Sequence, residues 1–219
     1  MVIRERESTT DNGAIRTGPA ARVDKRSFVI LVVLLWLLPG SPVQAEKPRD
    51  FISVYGGVNF EERVIEFIRE ASPTFQRSYI GALSYTHSWA RTGGARWELE
   101  GQLVRHSGLQ QLWEINVVPA VRWMDAPWDH IVDTRFAIGW GLSWASEEPP
   151  IEPRQEDEPG EGESARLLSY TLLEIEFMPP QADRWSGFMR IHHRSGVGGL
   201  FGGVEGGSNF LATGVRYYF

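Results

Sequence analysis

Apolar and polar residues alternate with a period of two along most of the chain after residue 45, which is the periodicity of β-strands. For example, Trp113, Ile115 and Val117 fall on one face, while Glu114 and Asn116 fall on the other. Residues typical of turns divide this alternation into eight segments. The segments lie at about 51–60, 77–90, 95–106, 111–123, 130–145, 166–177, 184–195 and 208–219. The pattern therefore predicts an all-β chain of eight strands.

Two architectures present strands of this kind, a soluble sandwich and an outer-membrane β-barrel. In a sandwich the apolar face points into the core, whereas in a barrel it contacts lipid and the polar face fills the interior. The segments span 10 to 16 residues, while strands of globular proteins usually have about five or six. A tilted strand needs about 9–11 residues to cross a bilayer. The strand lengths therefore favour the barrel.

The positions of aromatic residues point the same way. Most of the nine tryptophans lie near predicted strand ends, as the aromatic girdles of membrane proteins do. The exceptions are Trp36, in the N-terminal segment, and Trp140, in the middle of a strand. The last strand closes on Phe219, as in the C-terminal strands of bacterial outer-membrane barrels. We expect an eight-stranded antiparallel transmembrane β-barrel of the bacterial outer membrane.

The polar face of the predicted strands carries equal numbers of opposite charges. They are Arg96, Arg122, Arg135, Arg190, Arg194 and Arg216 against Glu98, Glu100, Glu114, Asp133, Glu174 and Glu176. Buried charges need partners, and an eight-stranded barrel is just wide enough for side chains to fill. We therefore predict an interior of paired charges with a structural role, and no pore.

The first 45 residues have the features of an exported protein. Basic residues at 22–26 precede an apolar run at 27–38, and small residues up to Ala45 suit cleavage by a signal peptidase. A run of this length is short for a spanning helix, although a membrane anchor is the alternative interpretation. We predict a leader and signal peptide at 1–45 and the barrel at 46–219.

Composition excludes several classes of function. The chain of 219 residues has no cysteine, which excludes disulfides, a thiol nucleophile and Cys-ligated metal sites. Its net charge of -6 argues against nucleic acid as a partner. The mean hydropathy of -0.25 resembles that of a soluble protein. A barrel gives such a value because each apolar position along its strands is averaged with a neighbouring polar one.

The connections predicted on the outer side are mostly long, at 61–76, 107–110, 146–165 and 196–207. Residues 61–70 fit either a short amphipathic helix on the outer leaflet or an extension of a strand. The acidic stretch 147–163 is interpreted as a solvated loop. Its alternative role is contact with the divalent cations that bridge lipopolysaccharide phosphates.

Candidate chemistry lies at the outer end of the seventh strand. Strand parity places Arg190, His192 and Arg194 toward the interior, so His193 and Ser195 point outward. Residues two apart on a strand are about 6.5–7 Å apart, close enough for their side chains to meet. Polar groups that face lipid are costly and usually mark function, although in the headgroup zone they cost little.

The segment 185–219 resembles the PagL-type lipid A 3-O-deacylases of the acyloxyacyl hydrolase family. It shares with them a His-x-Ser at a strand end, a glycine-rich loop and a last strand that ends in aromatic-x-Phe. The resemblance implies an eight-stranded barrel with a Ser-His-Glu triad on its outer face. Such an esterase removes an ester-linked 3-hydroxyacyl chain from the lipid A of lipopolysaccharide, and needs no metal or other cofactor.

By this resemblance Ser195 is the nucleophile and His193 the general base. Glu205 is the expected acid, as it is the one carboxylate of the following loop. Gly196 and Asn209 are candidates for the oxyanion site. The family pattern has Asn directly after the serine, whereas this chain has Gly196.

Two other functions remain open. One is a non-catalytic outer-membrane barrel that acts as an adhesin, a surface binder or a membrane stabiliser. The other is a palmitoyl transferase on a similar barrel, which would need an interior hydrocarbon pocket. The charged interior predicted above disfavours the transferase.

Overall fold

The computed structural model describes residues 50–152, 164–179 and 184–219. Eight antiparallel strands pair in sequence order, and β1 also pairs with β8, which closes a barrel. The strands are β1 (Phe51–Phe60), β2 (Phe75–Thr92), β3 (Ala95–Gly108), β4 (Trp113–Trp123), β5 (Asp133–Ala145), β6 (Leu167–Met178), β7 (Trp185–Ser195) and β8 (Gly207–Tyr218). The prediction of an eight-stranded antiparallel barrel is confirmed.

Two expectations concern segments that the structure does not describe. The predicted signal peptide and the domain boundary after Ala45 lie outside the described residues, as does most of the acidic stretch 147–163. In the described part of the chain, no helix is both long and apolar enough to cross a bilayer.

The barrel buries its polar face and exposes its apolar face. On β3, Glu98 and Glu100 are buried in the interior, while Trp97, Leu99 and Leu103 are exposed. This is the reverse of a soluble core, and it is stable where lipid surrounds the outer surface. The prediction that the polar face fills the interior and the apolar face points outward is therefore confirmed.

The charges of the interior are paired. Arg122 lies 2.6 Å from Glu174, and Arg216 lies 2.7 Å from Glu176. Farther along the lumen, Arg190 bonds Glu100 at 2.6 Å. Because each of the six buried arginines contacts a carboxylate, the network fills the lumen without leaving a guanidinium uncompensated.

A short helix, α1 (Val64–Glu70), follows β1, so the helical alternative predicted for 61–70 is confirmed and the strand extension is wrong. Its Phe67 ring packs 4.7 Å from that of Phe60, which points outward from the end of β1. Ile65 and Ile68 are exposed. The helix therefore lies against the outer surface of the barrel and presents apolar side chains.

Candidate functional site

His193 and Ser195 both point outward from the outer end of β7, as parity predicts. Their inward neighbours His192 and Arg194 are fully buried, whereas His193 and Ser195 are half-buried. In the strand register His193 lies opposite Asn209 of β8, on the side away from β6. The two predicted site residues thus occupy one face of the barrel at its outer rim.

Asn209 holds one nitrogen of the His193 ring. The His193 Nδ1 atom lies 2.5 Å from Asn209 Oδ1, and Asn209 Nδ2 donates to the carbonyl oxygen of Glu62 at 2.8 Å. Because a carbonyl can only accept, the second bond identifies the amide nitrogen, and Oδ1 must be the atom that faces the imidazole. We therefore assign the proton to His193 Nδ1, which makes Nε2 the basic nitrogen.

The surroundings of Asn209 explain why its amide is fixed. Although it points outward, Asn209 is only 4% exposed, because the chain between β1 and α1 covers it. Its backbone carbonyl accepts a hydrogen bond from Asn59 Nδ2 at 2.9 Å. The segment that begins α1 thus orients the imidazole through Asn209.

Glu205 occupies a different place from that expected for a triad acid. It is exposed in the loop between β7 and β8. Within the residues that the structure describes, its carboxylate has no hydrogen-bond or ion-pair partner. Asn209 occupies the position beside His193 Nδ1. The sequence predicts Asn209 instead as a candidate for the oxyanion site. The sequence does indicate that Asn209 points outward from β8, but strand parity does not identify which residue lies beside it on the next strand.

The backbone beyond Ser195 is tightly turned. Val197 has a φ of 52°, which is rare for a β-branched residue, and its amide N–H donates to Ser195 Oγ at 3.3 Å. Conformations of this kind persist where the surrounding structure enforces them, and they cluster at functional sites. The turn thus aims one backbone donor at the predicted nucleophile.

Gly196 is required by the packing of this turn. A Cβ atom at this position would overlap the carbonyl oxygen of Val204, so no side chain fits there. Its amide donates to the Gly206 carbonyl at 3.2 Å. The absence of the family's asparagine therefore has a steric reason. Both predicted oxyanion donors, Gly196 and Asn209, are engaged in other hydrogen bonds in this structure.

The start of the acidic loop contacts the inner side of the site. Glu152 Oε1 accepts from Arg194 at 2.7 Å, and the Glu152 carbonyl accepts from the Gly207 amide at 2.9 Å. Arg194 precedes Ser195 in β7, and Gly207 lies opposite Ser195 on β8. Burial raises the pKa of Glu152 to about 7, despite the opposing charge of Arg194. A loop carboxyl that titrates near neutrality therefore adjoins the strand ends that carry the site.

The fold is similar to that of solved outer-membrane proteins. The outer membrane enzyme PagL is 13% identical with a TM-score of 0.50, over 76% of this chain and 98% of that one. Neisserial surface protein A is 9% identical with a TM-score of 0.46, over 80% of this chain and 100% of that one. An outer membrane channel from Pseudomonas putida F1 is 9% identical with a TM-score of 0.32, over 83% and 99%.

At 13% identity the likeness to PagL shows the fold alone. No protein-family model and no curated protein matches this chain. The barrel fold agrees with the lipid-facing apolar surface and the charged interior described above. The chain is therefore an eight-stranded β-barrel of the bacterial outer membrane.

Proposed function

We propose that the protein is a serine esterase that removes an ester-linked 3-hydroxyacyl chain from lipid A. The observation that carries the proposal is the outward-facing His193, whose Nδ1 is held by Asn209 while Ser195 follows on the same face. A membrane-facing imidazole in a fixed tautomer has little value for packing. It suits a general base whose substrate lies in the adjacent leaflet.

The proposed chemistry begins when His193 Nε2 takes the proton of Ser195 Oγ, which then attacks the ester carbonyl carbon. The tetrahedral intermediate collapses, and the sugar oxygen leaves with the proton from the imidazolium. Water, deprotonated by His193, then attacks the acyl-serine ester. The products are the 3-hydroxy fatty acid and lipid A with one free hydroxyl, and Ser195 regains its proton.

Asn209, rather than Glu205, is proposed as the third member of the triad. The third group must orient the ring and keep Nε2 unprotonated in the resting state. An amide oxygen does both when its rotation is fixed, and here the Glu62 carbonyl fixes it. The neutral amide stabilises the imidazolium less than a carboxylate would. The main contribution of Asn209 is therefore the orientation of the ring.

The backbone N–H of Val197 is the proposed oxyanion donor in place of Gly196 and Asn209. It lies 3.3 Å from Ser195 Oγ, so an ester attacked by Oγ would place its carbonyl oxygen near this amide. A backbone donor in a strained turn needs little rearrangement during the reaction.

The test is mass spectrometry of lipid A from cells that express the wild-type protein, Ser195→Ala or His193→Ala. Wild-type cells should lose one 3-hydroxyacyl chain, and both variants should leave lipid A intact. Ser107→Ala is the matched control, because Ser107 is also exposed near the outer rim, on β3. If lipid A is the same with the wild-type protein and with Ser195→Ala, the proposal is wrong and the non-catalytic barrel is favoured.

A further inference from the structure

Trp140 differs from the other lipid-facing tryptophans in its position. It lies in the middle of β5, five residues before the strand ends at Ala145, and it is 63% exposed. Tryptophan is usually found at the membrane interfaces, because its N–H needs a polar partner that hydrocarbon does not supply. A mid-strand tryptophan on this surface therefore needs an explanation.

The structure supplies the partner of this N–H group. Trp140 Nε1 donates to Ser169 Oγ of β6 at 2.6 Å. The register places Ser169 opposite Leu142, two residues closer to the outer rim than Trp140, so the indole leans along the barrel toward that rim. Ser169 is 2% exposed, and its hydroxyl satisfies the indole N–H.

The same serine connects Trp140 to the proposed nucleophile. Ser169 lies directly opposite Ser195 in the pairing of β6 with β7, and directly opposed side chains are about 5 Å apart. Trp140 itself shares a row across the strands with His193, through Thr171 of β6. The indole therefore lies beside the Ser195–His193 pair on the outer surface, with β6 between them.

The site has an apolar boundary on its other side as well. There Phe60 of β1 lies opposite Asn209 and packs against α1, whose Ile65 and Ile68 are exposed. The row of His193 and Trp140 lies deeper in the membrane than Ser195, by about 7 Å of strand. An acyl chain that runs from an ester at Ser195 into the hydrocarbon must pass the level of the indole.

We propose that Trp140 determines acyl-chain specificity by packing its indole along the hydrocarbon chain of the bound ester, and that Ser169 is a positioning residue that holds the indole. This inference rests on the proposed esterase function. The contact grows with the length of the chain, because each additional methylene that reaches the indole adds dispersion contacts with its ring. A short ester has few methylenes beyond its carbonyl group, so it covers little of the indole.

The experiment compares p-nitrophenyl tetradecanoate with p-nitrophenyl butyrate in mixed detergent micelles, using the full mature chain. Trp140→Ala should lower kcat/KM for the long ester by about tenfold and for the short ester by less than about twofold. Ser169→Ala should give a smaller loss with the same selectivity for chain length. Trp123→Ala removes an exposed tryptophan at the end of β4 that lies away from the outer rim. It should change neither rate.

Trp140→Phe keeps a ring but loses the N–H. It replaces Trp140→Ala in the comparison of the two esters if the alanine variant does not fold. Folding of each variant is checked by heat-modifiable gel migration. Equal losses on both esters, or no loss on the long one, would overturn this inference while Ser195→Ala still defines the esterase. If the wild-type protein and Ser195→Ala hydrolyse both esters equally, the esterase itself is wrong and this inference falls with it.

Discussion

His192 and His193 are consecutive residues of β7, but they face opposite surfaces of the barrel. His192 is fully buried in the lumen, where Nε2 contacts Glu114 at 2.9 Å and Nδ1 contacts the Tyr170 hydroxyl at 3.0 Å. His193 faces outward and is half-buried, with Nδ1 on Asn209. The interior histidine has both ring nitrogens engaged in a packed network, whereas the outer one lies on the surface that faces lipid.

Under the proposed function, one residue type serves two purposes in this strand, packing in the lumen and base catalysis on the outer face. In the lumen, Glu114 also contacts His106 at 2.6 Å, so its carboxylate is held between two imidazoles. Groups held in this way stabilise one another and are not available to a substrate. On the outer face, the fixed amide of Asn209 orients a ring that adjoins Ser195.

The largest expected effect is on chemistry at the outer histidine. His193→Ala should lower the esterase rate by about 10³-fold, because the serine hydroxyl loses its general base. The midpoint of urea unfolding in micelles should stay close to that of the wild-type protein. A variant that unfolds more easily but keeps its activity would contradict the outer assignment.

The inner histidine should show the opposite behaviour. His192→Ala removes one partner of the buried Glu114 and should cost about 3 kcal/mol of unfolding free energy. Urea unfolding measures this cost, and the esterase rate of the folded fraction is expected to change little. Loss of activity without loss of stability would show that the lumen network takes part in the reaction.

The choice between Asn209 and Glu205 gives an intermediate effect. Asn209→Ala releases the imidazole and should lower the rate by about 10²-fold, as displaced catalytic groups do. Asn209→Asp restores an acceptor at Nδ1 but loses the donor to the Glu62 carbonyl, so it should recover part of that loss, while Glu205→Gln should leave the rate near the wild-type value. Steady-state kinetics on a short ester measure all three variants. A large loss in Glu205→Gln alone would return the acid role to Glu205.

The smallest effect concerns pH and Glu152. Its pKa is raised from 4.5 to about 7, so between these values the folded protein holds a proton that the unfolded chain has released. The stability from this group is therefore complete below about pH 4.5 and falls as the pH rises toward 7. The slope is at most about 1.4 kcal/mol per pH unit.

Glu152→Gln is the control for this slope, because it keeps a side chain of the same shape but does not titrate. The urea midpoint should decrease between pH 5 and 7 in the wild-type protein, and this component should be absent from the variant. Identical pH profiles for the two proteins would show that the titration of the buried Glu152 carboxyl does not contribute to stability in this range.

Much of the fold followed from alternation, because the faces of a strand differ by one residue in a local pattern. The outward orientation of His193 and Ser195 needed only this parity. The partner of His193 did not follow from it, since Asn209 reaches the ring through the register of β7 with β8. The resemblance assigns the acid role to Glu205 of the next loop, whereas the structure leaves Glu205 exposed in that loop.

The same distinction applies to the other features of the site. The helix at 64–70 packs Phe67 on Phe60 at the end of β1, a contact between two elements. The pattern marks Trp140 as an exception at mid-strand, but its hydrogen bond to Ser169 joins residues that are 29 positions apart in the chain. Neither contact is visible in a local pattern.

Local alternation is enough to predict the strands, the face of each residue and the membrane environment, because lipid outside and charge inside impose a period of two on every segment. Which residues meet across strands follows only from the closed fold. Closure of the barrel sets the register, and the register brings Asn209 to His193 and Ser169 to Ser195. These pairings depend on the geometry of the whole ring of strands, which no single segment encodes.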